Sequence, residues 1–147
     1  MVARNEFGEV LKVWTKIHDL CSPTQAEVVA IQWALNLAND ENWSNIVVEG
    51  DSKIYLDALS KAEEPSNWSI SSITWDAAVL NVFFDNCKFC WVKRSLNSAG
   101  HSATKYTISL KVGFLCNKHD LPPHVVLLSL MNWLVIKKKR KMLILIL

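Results

Sequence analysis

The chain is 147 residues long, half hydrophobic and one fifth charged, which is enough for one domain with a real core and excludes global disorder. A formal charge of +2 conceals an asymmetry. Residues 1–86 hold thirteen acids against five bases, residues 87–120 six bases against one acid, and Lys137-Lys138-Lys139-Arg140-Lys141 is wholly basic. The opening MVARNEFGEV carries charges and no apolar leader, and the four cysteines are scattered, so a reduced intracellular setting, nuclear or cytoplasmic, is expected.

Val2 to His18 reads as two strands joined by a turn at Asn5-Glu6-Phe7-Gly8, the second strand carrying Val10, Val13, Trp14, Thr15 and Ile17. Ser22, Pro23 and Gln25 form a capping box, so a helix should start there and run to about Asp40 or Glu41. Asn42 to Ser44 turns the chain into a strand over Asn45–Glu49, and a short helix follows from near Ser52 to Lys61. A loop at 62–67 leads to a third helix from Trp68 or Ser69 to about Phe84, with Ile70, Ile73, Ala77 and Leu80 at helical spacing. Cys87 to Lys93 alternates as a strand with Cys87, Phe89 and Trp91 on one face, a core face by this reading. Asn97 to about Val112 is the last helix.

Beyond Gly113 the character changes. Val125 to Ile136 is apolar apart from Ser129 and Asn132, the basic cluster follows, and Met142 to Leu147 is wholly apolar. Neither run reaches the roughly 20 residues that span a bilayer, so no membrane segment is expected. The cluster reads either as a nuclear-import signal or as sequence beyond the natural end of the fold. The division drawn is a folded domain at 1–112 and an irregular extension at 113–147.

Two acids stand out. Gln25, Gln32, Asn36 and Asn39 fall on one stripe of the first helix, whereas Glu27 lies nearly opposite, in line with Ile31, Ala34 and Ala38. A carboxylate on an apolar face is costly unless a cation meets it, although in an exposed first turn it would only favour the helix dipole. Asp51 follows the strand ending Val47-Val48-Glu49-Gly50, and the carboxyl ends of buried strands are where open α/β sheets place chemistry. The two can converge on one hard cation, which takes carboxylate oxygens and water.

The segments TQAEVVAIQWAL, NIVVEGDSKIYLDAL and VKRSLNSAGHSATKY, in this order and spacing, resemble the ribonuclease H family, closest to its plant, retroelement-type domains. The resemblance covers about residues 2–112. It rests on Ala26-Glu27, on Glu49-Gly50-Asp51-Ser52, and on Arg94, Asn97, Gly100 and His101 opening the last helix. It implies an α/β fold, a mixed sheet with helices on both faces, and hydrolysis of the RNA strand of an RNA–DNA hybrid by two magnesium ions, with manganese as a substitute. By this resemblance Glu27 and Asp51 are metal ligands, His101 supports catalysis, and Glu49 shapes the strand end. Lys93 and Arg94 are reasonable phosphate contacts. Ser52 and Asn97 read as helix caps beside the site, with Ser52 the better placed to touch substrate.

The family's first catalytic Asp and the central strand that carries it would precede Val2, so the first strand is missing from the sequence as read, and the chain resembles an N-terminally truncated domain. With that Asp absent and His101 in place of a carboxylate, only Glu27 and Asp51 remain. An open centre would leave backbone groups unpaired on both neighbouring strands. Folding back of 125–136 would fill it without supplying an acid.

Cys87-x-x-Cys90 has a zinc spacing, with His101 and Cys116 as possible partners, but residues three apart on a strand point to opposite faces. Buried structural thiols are the reading adopted. Trp43 and Trp68 fall in loops, where exposure is expected. Two functions of different class follow: a hybrid-cleaving endonuclease impaired by its missing acid, or a non-catalytic nucleic-acid-binding or scaffold domain.

Overall fold

The computed structural model describes residues 1–17, 23–61, 75–76, 79–120 and 143–146. Strands β1 (Val2–Arg4) and β2 (Val10–Trp14) form an antiparallel pair. Their turn is the expected one: Asn5 Oδ1 accepts from the Phe7 and Glu9 amides at 3.0 Å, and Gly8 takes φ 82°, a conformation glycine adopts without strain. Helix α1 (Pro23–Asp40) buries Val28, Ile31, Ala34, Leu35 and Ala38, the face on which the sequence placed Glu27. The proposed Ser22 cap lies outside the described residues. Asn42 ends α1 at φ 56°, and its neighbour Trp43 donates back to the Ala38 carbonyl at 3.0 Å. Trp43 is not the exposed turn residue expected: it stacks edge-on against Trp14, ring centres 5.9 Å apart, because the helix stop folds it onto β2.

Strand β3 (Asn45–Gly50) runs parallel to β4 (Asn86–Trp91), with α2 (Lys53–Lys61) between them in sequence. In α2, Tyr55 and Leu56 are buried whereas Ile54 faces solvent. Of the third expected helix, Trp75, Asp76 and residues 79–81 have helical backbone. Its other positions, and Trp68, lie outside the described residues. A short 3₁₀ turn (Arg94–Leu96) leads into α3 (Ser98–Leu110). Ala99, Gly100, Ala103 and Thr107, which share one helical face, are its buried stripe, and residues this small let the helix come close to the sheet.

The sheet has six strands in the order β4-β3-β6-β1-β2-β5, where β5 is Leu115–Asn117 and β6 is Leu143–Ile146. Helices cover both faces. Ala3, Trp14, Ile46 and Val48 pack with α1 and α2 on one side, and Val2, Val10 and Val13 pack with Ala99 and Ala103 of α3 on the other. The mixed α/β architecture with helices on both faces is therefore the one the resemblance implies.

The centre of the sheet is not open. Strand β6 lies antiparallel to β1, with Arg4 opposite Ile144, and parallel to β3, with Glu49 opposite Ile146. The slot is filled by Leu143–Ile146, while 125–136 lie outside the described residues. The sheet also crosses the division drawn at 112/113, since β5 pairs with β2 and Phe114 joins the α3 side of the core. The chain passes close to Thr15 there, and a Cβ on Gly113 would meet the Thr15 carbonyl oxygen at 2.6 Å.

Candidate nucleic-acid interface

Asp51 is the first residue after β3, and its side chain is 11% exposed. Three side chains from the segment following β4 converge on it. Arg94 Nη1 lies 3.2 Å from Oδ2, Asn97 Nδ2 donates to Oδ1 at 3.2 Å, and His101 Nε2 lies 3.4 Å from Oδ2. The convergence follows from the parallel β3–β4 pairing, which brings the ends of both strands to one edge. Val92 donates to the Gly50 carbonyl at 2.9 Å, which prolongs the ladder to the site.

Asn97 is 1% exposed and stands at the N-cap of α3 without making a side-chain cap bond. The structure corrects the expectation here, because its amide is drawn to the Asp51 carboxylate, a charge-assisted interaction stronger than a neutral cap. One helical turn on, the His101 amide donates to the Asn97 carbonyl at 3.1 Å. Asn97 Oδ1 and His101 Nε2 are buried without a hydrogen-bond partner among the described residues.

Glu27 approaches from α1. Burial holds its carboxyl above the usual carboxylate range, the Asp51 charge raises it further, and Arg94 opposes both. The charge of Asp51 acts on Glu27, so the two carboxyls stand near one edge of the sheet. Ser52, directly before α2, is half-buried, and Lys93 is exposed.

Trp91 is 40% exposed and not the core residue expected. As the last residue of an edge strand it has no further strand to pack against, so its indole Nε1 donates to the Asp51 carbonyl at 3.2 Å. Lys53 Nζ sits 5.9 Å from its ring centre, within cation–π range. Cys90 is also exposed, which corrects its reading as a buried thiol. Cys87 is half-buried, and burial pushes its thiol up to about 12. Among the described residues no group of three or more His, Cys, Asp or Glu side chains is placed to hold a metal.

Residues 1–107 match the family model described as reverse transcriptase-like. The chain belongs to this reverse transcriptase-like family, which has the ribonuclease-H-like fold. No curated protein and no solved structure matches it. Membership implies nucleic-acid binding in general. Among the described residues of this reverse transcriptase-like domain, no helix is long and apolar enough to cross a membrane.

One charged pair was not anticipated. Arg4 and Glu49, 6% and 5% exposed, meet at 2.7 Å between Nη2 and Oε2. Arg4 is the only arginine before Arg94, which was a usable signal. Its pairing depends on which strands flank the centre, and that was not.

Proposed function

We propose that this chain is a ribonuclease-H-like domain that binds nucleic acid, RNA–DNA hybrid foremost, without assembling two-metal cleavage. The observation that carries the reading is the surroundings of Asp51. Its carboxylate is paired with Arg94 and held by Asn97, and Glu27 is the acid that α1 brings toward it. The sheet's central strand, Leu143-Ile144-Leu145-Ile146, contributes no acid.

These residues do not fit a pair of magnesium or manganese ions. Such a pair needs several carboxylates to balance four positive charges, and here one acid is partnered by a guanidinium while burial disfavours the charge of the other. The same edge suits a phosphate backbone better. Arg94, Lys93 and Lys53 supply exposed cations, and Trp91 offers a ring face for stacking. His101 and Ser52 stand beside this surface as contacts to sugar or phosphate. The plant, retroelement-type affinity rests on the motifs at Glu27, Asp51 and Arg94, and a nuclear or cytoplasmic place of work follows from the substrate class and the basic cluster at 137–141.

The test is titration of a labelled RNA–DNA hybrid with the full chain in magnesium and in manganese, reading binding and cleavage together, beside Asp51→Asn. Salt-dependent binding with no cleavage is expected. Cleavage that Asp51→Asn abolishes would overturn the proposal and restore the endonuclease reading.

A further inference from the structure

Among the described residues, the strand order places the backbone pairing between the two halves of the sheet on one segment. Strands β1, β2 and β5 form one half and β3 and β4 the other, and among the described residues β6 is the strand that pairs with both β1 and β3 across the divide. Among the described elements this segment comes last, and residues 121–142 separate it from the preceding described one. The Arg4–Glu49 ion pair joins the flanking strands directly, spanning the position of β6. A gap between one edge that accepts an antiparallel strand and one that accepts a parallel strand is a directional peptide site.

We propose that the gap between β1 and β3 is a strand-binding site, that Leu143–Ile146 is its detachable occupant in cis, and that the same segment of a second copy fills it in trans. Four features of the resident segment specify the occupant. It is extended, it is short enough to pair with three residues of β1 and four of β3, it is apolar throughout, and it enters parallel to β3. An acidic peptide lacks the apolar character, and a proline-containing one lacks a ladder donor. Departure of β6 leaves two facing rows of unpaired backbone groups, which drives recapture of a matching strand.

The test uses the full chain and a synthetic peptide of residues 137–147, whose basic residues favour solubility. In wild type, hydrogen exchange should show residues 143–146 protected. Leu145→Pro removes a ladder donor from the resident strand and should lower the melting temperature. The labelled peptide should bind this variant saturably and about ten-fold or more tighter than wild type, whose attached strand competes intramolecularly, and should restore the melting temperature. If the variant fails to fold, refolding it with the peptide present should return soluble chain. Unprotected 143–146 amides, a proline variant as stable as wild type, or a peptide that neither binds nor rescues would each overturn the proposal.

Discussion

Arg4 and Glu49 form a buried ion pair at 2.7 Å although their strands are not neighbours, since β6 runs between them. Strands stand about 4.8 Å apart, so the contact crosses two strand spacings, a reach that suits the long arginine side chain. Burial pushes Glu49 up, and Arg4 opposes that by charge and by hydrogen bond. Arg4→Met or Glu49→Gln alone should cost about 3–5 kcal/mol, because each strands a buried polar partner. The double variant should cost clearly less than the sum. Urea unfolding of the four chains of this cycle measures the coupling, and additive effects would show that the two side chains do not meet.

Arg94 is largely exposed and holds a charge beside Asp51. Replacement by Ala should leave the unfolding free energy within about 0.5 kcal/mol of wild type, as for surface pairs. It should weaken hybrid binding and reduce the salt slope by about one. Anisotropy titrations from low to moderate salt check both. A slope that does not change would remove Arg94 from the interface.

Much of the fold was legible because hydrophobic periodicity and turn chemistry agree. The Asn5–Gly8 turn, the buried stripe of α1 and the succession of β3 and α2 all follow from local rules. Glu27 and Asp51 were legible as a pair for the same reason, one from its misplaced charge and the other from its place after a strand. What was not legible depends on sheet order. Trp91 belongs to an edge strand, Asn97 turns from its own helix to a carboxylate on another element, and Leu143–Ile146 could be read as strand-forming but not as central. A strand's neighbours are set by long-range pairing, which no local pattern encodes.

Glu27 gives a pH signature. Its folded carboxyl lies above the value of 4.5 that applies when unfolded, chiefly through burial and then through Asp51. The folded state therefore binds more protons than the unfolded state as the pH falls toward that raised value. By linkage this group adds stability on acidification through the window above 4.5 and withdraws it toward neutrality. Glu27→Gln should raise the melting temperature slightly at neutral pH and flatten the profile between neutrality and pH 5. Melting curves across that range decide it, and a variant less stable than wild type at pH 7 would mean that the charge is held by a favourable partner.

Trp91 separates binding from folding. It is 40% exposed at the end of β4, donates to the Asp51 carbonyl and stands against Lys53, so Trp91→Ala loses ring burial as well as a hydrogen bond and should cost about 2–3 kcal/mol of stability. If a base or sugar stacks on its ring, the same change should cost about 1–3 kcal/mol of binding. Trp91→Phe keeps a ring face but lacks the indole donor, so it should recover most of the binding and only part of the stability. Parallel measurement of hybrid affinity and melting temperature for the two variants tells the roles apart. Equal losses in binding for Ala and Phe would mean that the indole acts only by positioning Asp51, leaving Lys53, Lys93 and Arg94 to hold the backbone by charge alone.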